Sequence, residues 1–220
     1  MMEASKKTIA KPAATVVSRQ TVVLDICERA FVFLIFSRFA WLMLSGATRP
    51  ANFLDVMLVV SEAVPFVLIV LRSRSETLSR RPSDWLLGMT GVTLPLLVQP
   101  AVIAPLVPAN ICFFVMVLGT FIQFAAKIAL GRSFGVIAAN RGVVTLGPYR
   151  LIRHPMYLGY TITHIGFLLS MPSAVTAVLY ATTLGVQILR ILREENVLML
   201  DEAYRVFAKH VRFRLVPGVF

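Results

Sequence analysis

Long apolar stretches alternate with short polar ones along the chain, and that alternation predicts its elements. Residues 86–107 contain no Asp, Glu, Lys or Arg, and neither do residues 155–189. An uncharged run of about 18 or more residues reads as a membrane span, because about 20 helical residues cover the hydrocarbon of a bilayer. Apolar blocks fall at residues 22–45, 52–71, 85–107, 111–130, 155–170 and 174–189. Tight turns join them at residues 46–51, 108–110 and 171–173, and longer basic segments occupy residues 72–84 and 131–154. Beyond residue 189 the chain is charged and amphipathic, with Tyr204, Phe207, Ala208 and Val211 at helical spacing. That helix is expected to lie on the protein or on the membrane surface.

The blocks are not uniform. The first carries Asp25, Glu28, Arg29 and Arg38, so its start is expected at the interface and its firm part at residues 30–44. The second contains Asp55 and Glu62. Charges inside spans are costly and face protein or water, which predicts an Arg38–Glu62 pair across the first hairpin. Pro95, Pro100 and Pro105 predict kinks or a break in the third block. Lys127 sits near the end of the fourth, where a long side chain snorkels toward the interface. The fifth, residues 155–170, is short for a full span and is expected to tilt or to be re-entrant. The prediction is an all-α fold: a polytopic transmembrane helical bundle of five or six membrane helices with a C-terminal cytoplasmic cofactor-binding region. Residues 1–20 form a basic tail rather than a signal peptide, residues 21–130 hold helices 1–4, and residues 131–220 form the region that carries the chemistry.

Composition sharpens this. Apolar residues make up 57% of the 220 and charged residues 15%, against about 45–50% and about 25% in soluble domains. The net charge of +11 raises nucleic acid as a partner, but the basic residues cluster in the short segments between apolar blocks. That placement suits anionic lipid headgroups and argues against nucleic acid. With both ends on one side, that side holds four basic residues in the N-terminal tail, four in residues 72–84, four in residues 131–154 and six in the tail from residue 190. The opposite turns hold only Arg49. The positive-inside rule therefore predicts a multi-pass membrane protein with both termini in the cytoplasm. Cys27 and Cys112 form no CxxC pair, no metal-spaced cluster is present, and both read as small buried apolar residues.

The densest group of reactive side chains flanks the last hairpin. One piece is Gly147-Pro-Tyr-Arg-Leu-Ile-Arg-His-Pro-Met-Tyr-Leu-Gly159, the other Arg190-Ile-Leu-Arg-Glu-Glu-Asn-Val-Leu198. The hairpin returns the chain to its own side, so the two pieces meet at its base. Pro155 suits the first turn of a helix. His154 then stands at or near the N-cap beside unpaired backbone donors, which suit the carboxylate of an amino-acid-like ligand. Arg150 and Arg153 add fixed charge, Tyr149 and Tyr157 offer aromatic faces and hydroxyls, and Glu194 and Glu195 offer acceptors for a diol, an amine or a sulfonium. Each has a plainer reading alone: the arginines as juxtamembrane anchors, Tyr157 as an interfacial aromatic, Arg190 and Glu194 as a solvated helix pair worth about 0.2–0.5 kcal/mol. The combination is what points to a site.

These residues carry a resemblance. Gly131-Arg-Ser-Phe134, Gly147-Pro-Tyr149, Arg153-His-Pro-x-Tyr157-x-Gly159, Arg190-Ile-x-x-Glu194-Glu195-x-x-Leu198, Tyr204 and Arg214-Leu-Val-Pro217 are similar to the isoprenylcysteine carboxyl methyltransferase family, within the wider group of membrane methyltransferases that includes phospholipid N-methyltransferases. The resemblance runs from about residue 127 to the C-terminus. It implies S-adenosylmethionine as methyl donor in a cytoplasm-facing pocket lined by Tyr149, His154, Pro155, Tyr157, Glu194 and Glu195, with Arg153 and Arg190 as the catalytic charges. No glycine-rich strand–turn–helix fingerprint is present, and no metal is expected. A carboxylate acceptor is already ionised at pH 7 and needs no general base, whereas an amine must first lose a proton. His154 is committed to the cofactor, so the acceptor is expected to be a carboxylate on a lipophilic molecule, with S-prenylated cysteine foremost. An aminophospholipid headgroup, or a non-catalytic membrane scaffold, are the alternatives.

Overall fold

The computed structural model describes residues 19–46, 50–71, 82–131 and 143–220. The N-terminal tail, most of the 72–84 segment and most of the Gly131-Arg-Ser-Phe134 motif lie outside the described residues. Seven α-helices occur among those described: α1 Arg19–Leu44, α2 Phe53–Leu71, α3 Pro82–Thr93, α4 Ala109–Leu130, α5 Pro155–Ser170, α6 Ala174–Leu198 and α7 Glu202–His210. The all-helical expectation is met among these residues. Of them, α4 and α6 are long and apolar enough to cross a membrane.

Local chemistry sets the helix ends. At the start of α2, Asn52 Oδ1 accepts from the Asp55 amide at 3.1 Å and Asp55 Oδ2 accepts from the Asn52 amide at 2.8 Å. This reciprocal cap satisfies donors that the helix leaves orphaned. The third apolar block breaks where its prolines predict: α3 stops at Thr93, a 3-10 turn covers Pro95–Leu97, and no helix resumes before Ala109. At the start of α7, Asp201 accepts from the Ala203 amide at 2.8 Å.

The bundle is apolar outside and polar inside. On α4 the exposed residues include Ile111, Phe114, Phe121 and Ile128, while Thr120, Gln123 and Lys127 are buried. Water would favour the opposite arrangement; a hydrocarbon surround favours this one, because inward polar groups can then meet protein partners, as Gln123 and Lys127 do. Lys127 does not snorkel. It is 1% exposed, its ammonium donates to Gln123 Oε1 at 2.7 Å and sits 4.6 Å from the centre of the Tyr160 ring. Gln123 in turn donates to Ser61 Oγ at 2.6 Å, tying α4 to α2. The expected Arg38–Glu62 pair does not form. Arg38 is exposed on α1, and Glu62 pairs with His164 Nε2 of α5 at 3.2 Å. Glu62 lies on the face of α2 that meets α5, and the buried imidazole serves a buried carboxylate there. Cys112 is buried as expected, but Cys27 lies on the outward face of α1 with Val23 and Leu34.

Helices α4 and α5 pack backbone to backbone through glycine. A Cβ on Gly119 would stand 2.5 Å from the Thr163 amide nitrogen, and one on Gly159 would stand 2.6 Å from that of Gln123. This approach anchors the short α5, only 16 residues long, against a full-length neighbour.

Candidate functional site

The two sequence pieces do meet. Gly147–Arg150 form a 3-10 turn, and the chain reaches α5 through Arg153 and His154. His154 is the N-cap and Pro155 the first residue of α5, as the sequence predicts; no side chain caps the helix. The segment is fixed from the C-terminal side: the Arg153 amide donates to Phe213 O at 2.9 Å and the His154 amide to Arg214 O at 2.8 Å.

Glu195, near the end of α6, is the hub. Its Oε2 accepts from Arg153 Nη1 at 2.8 Å and from Arg214 Nε at 3.0 Å. Its Oε1 accepts from the Tyr204 hydroxyl at 2.9 Å and meets His154 Nε2 at 3.1 Å. An ionised carboxylate only accepts, so this His154 nitrogen must carry the proton. One side chain thus ties together the start of α5, the end of α6, α7 and the C-terminal segment. Burial and the Glu195 charge push the Tyr204 hydroxyl well above its ordinary value of 10, which keeps it a donor. Tyr149 is raised in the same direction by burial and by Glu194.

Glu194 is differently placed. Its side chain remains 21% exposed. It accepts from the Tyr157 hydroxyl at 2.6 Å, with Arg190 Nη2 and His154 Nδ1 each 3.9 Å away. The Arg190 guanidinium lies 5.4 Å from the centre of the Tyr157 ring. It also presses on α3, where a Cβ on Gly91 would come within 3.0 Å of Nη1.

The structure therefore gathers Tyr149, Arg153, His154, Pro155, Tyr157, Arg190, Glu194 and Glu195 at one end of the bundle. It leaves Arg150 exposed on the 3-10 turn. Tyr204 and Arg214 belong to the site through Glu195, although the sequence reading placed neither in it. Their signal is weak: one tyrosine on a predicted surface helix and one arginine in a basic tail.

An interior cavity opens beside Tyr157 and Arg190 and runs into the bundle between α1, α2, α3, α5 and α6. Phe36, Phe66, Val92 and Leu96 line it with apolar surface, and Glu62, His164 and Gln187 line it with polar groups. A second histidine, His164, lines the same cavity as Arg190, two helical turns from Tyr157.

Residues 109–205 match the phospholipid methyltransferase family. The match begins at the first residue of α4 and takes in both pieces of the site. Protein-S-isoprenylcysteine O-methyltransferase A of Arabidopsis thaliana is 38% identical over 78 residues, which is 33% of this chain and 40% of that protein. The resemblance carried by the motifs is thus supported from two directions. The chain spans 40% of the length of this curated relative.

The residues present suit S-adenosylmethionine. Buried Tyr149 and Tyr157 offer flat faces, the partly open Glu194 offers an acceptor for a cation, and the uncapped start of α5 offers backbone donors for a carboxylate. Glu195, expected from the sequence to bind the donor, already meets four protein donors.

Proposed function

We propose that this chain is a membrane-embedded, S-adenosylmethionine-dependent methyltransferase that esterifies a carboxylate on a lipophilic acceptor of the S-prenylcysteine type. The carrying observation is that Arg190, placed beside Tyr157 and Glu194, also lines the cavity that runs into the bundle. Tyr149, His154, Pro155, Tyr157 and Glu194 hold the donor, with Glu195 keeping His154 and Arg153 in place. The bound donor supplies an electrophilic methyl group on a sulfonium. Arg190 orients the acceptor carboxylate, and Arg153, with Nη1 on Glu195 and Nη2 on the Arg212 carbonyl, adds positive charge beside it. Placing the reacting atoms in line supplies much of the rate, and an ionised carboxylate needs no base. The apolar lining admits a hydrocarbon tail directly from the bilayer. The name of the matching plant protein supports a carboxyl acceptor. That of the matching family supports the second reading, methylation of an aminophospholipid headgroup from the same donor site.

The reading extends to placement. The bundle spans the membrane several times, with five or six embedded helices, and the site faces the cytoplasm with both termini. The decisive experiment supplies membranes containing the protein with methyl-labelled S-adenosylmethionine and N-acetyl-S-prenylcysteine. A methyl ester releases volatile labelled methanol in alkali. Label that stays in the phospholipid fraction and resists alkali overturns the carboxylate reading in favour of the headgroup amine. No transfer and no donor binding by calorimetry favour a non-catalytic scaffold.

A further inference from the structure

Gln187 is an anomaly inside the cavity. It is 4% exposed on α6, and it sets an amide into the largely apolar wall of the cavity. A buried amide costs free energy unless it is hydrogen-bonded, and a polar group that enters the space can supply the bond. The same cavity is lined by His164, 4% exposed, with Nε2 on the Glu62 carboxylate at 3.2 Å and its ring stacked on Tyr180 at 4.3 Å. Glu62 and Tyr180 fix the ring and leave Nδ1 for another partner. A tunnel meant for a plain hydrocarbon tail has no use for such groups; it would bury each of them against methylenes.

We propose that Gln187 and His164 form a recognition station for a neutral oxygen, a hydroxyl or a carbonyl, carried within the lipophilic body of the acceptor. The Gln187 amide both donates and accepts, and the His164 imidazole, anchored by Glu62, takes the remaining position. Spacing sets where the oxygen lies. Gln187 is three residues from Arg190 and His164 seven from Tyr157, which at the helical rise is about 5 Å and about 10 Å along the bundle. The oxygen therefore sits about four to eight bonds from the methylated group. This rests on the proposed function only in taking the cavity as the acceptor's. A site built to hydrogen-bond a polar group rejects the analogue lacking it far more strongly than an apolar pocket rejects an added methylene.

The test is binding, independent of methyl transfer. The full chain in detergent is titrated with two sets of N-acetyl-S-alkylcysteines of equal length, one plain and one bearing a single hydroxyl or keto group at the second to fourth tail carbon. The expected result is at least tenfold tighter binding of one oxygenated analogue. Gln187→Met, which keeps the volume and removes the amide, abolishes or reverses that preference, and His164→Phe weakens it. Equal or tighter binding of the plain tail by the wild-type chain overturns the proposal, since water then serves these groups. So does binding of neither set, or a preference that survives Gln187→Met. The wild-type comparison decides even if a variant does not fold. Oxygen-selective binding without methyl transfer would sink the proposed function and leave this station standing.

Discussion

Glu195 and Glu194 are neighbours in sequence with opposite duties, and the difference is one of partners. Glu195 holds two guanidiniums, an imidazole and a phenol; Glu194 holds one phenol at close range and keeps part of its surface open. Removing one member of a buried, hydrogen-bonded ion pair costs about 3–5 kcal/mol, because the partner charge stays buried and uncompensated. Glu195→Gln is therefore expected to lower the melting temperature in detergent sharply, whereas Glu194→Gln leaves it nearly unchanged and weakens S-adenosylmethionine binding tenfold or more. A stable Glu195→Gln protein, or a Glu194→Gln protein with intact donor affinity, would reverse the assignment. The sequence showed the pair and its distance from the Arg-His-Pro element. It did not show which carboxylate is spent, because that depends on Tyr204 and Arg214, brought in by the fold of the tail. Tyrosine ionisation gives a second check. The hydroxyls of Tyr149 and Tyr204 are raised above 10 in the fold, while the unfolded chain loses these protons at about 10. Their contribution to stability is whole below that pH and falls as pH rises beyond it. Melting temperature measured from pH 8 to 11 should drop at the alkaline end, and replacing both with Phe should flatten that drop.

Among the elements, α4 and α5 depend on each other most closely. Gly119 and Gly159 let the two backbones touch, and the atoms in the way of an added Cβ include backbone nitrogen and carbonyl oxygen of the facing helix, which have nowhere to move. Gly159→Ala is expected to destabilise by about 1–3 kcal/mol or more, the range for overpacking. It should also reduce donor binding, because Gly159 lies only two residues from Tyr157 on α5. Gly185 on α6 is the control: nothing stands within 4 Å of its added Cβ, and Gly185→Ala gains helix propensity of up to about 1 kcal/mol. Thermal unfolding of the two variants side by side checks both signs; equal effects would mean that α4 and α5 are not in backbone contact. Element existence was readable from the apolar blocks, as were the broken third block and the His154–Pro155 helix start. The inward choices were not. Glu62 chose His164 over Arg38, and Lys127 turned to Gln123 and Tyr160 instead of the interface. A hydropathy pattern gives the length of a helix in a bilayer, but not which of its faces meets which neighbour.

At the scale of the whole molecule, the described site residues gather at one end of the bundle. Arg153, Arg190 and Arg214 come together around Glu194 and Glu195, and the sequence puts all but one of the loop and tail basic residues on that same side of the proposed bundle. On the proposed placement, the positive-inside rule makes that side the cytoplasm, the side from which the proposed donor would enter. The α5–α6 hairpin reverses direction at Met171–Ser173, so the segments before and after it return to one face whether or not α5 spans fully. The prediction is that reporter fusions after Asp84 and after Phe220 respond as cytoplasmic, and that one in the 46–51 turn responds as external. Arg49 is the single basic residue of the external turns, so adding three or four lysines there should compete with the native orientation and reduce methyl transfer as the fraction of inverted molecules rises. Fusions after Asp84 and after Phe220 that report opposite sides would require an odd number of crossings between them. That result would separate the amphipathic α7 from the face on which donor entry depends, and with it the common cytoplasmic placement of the termini would fall.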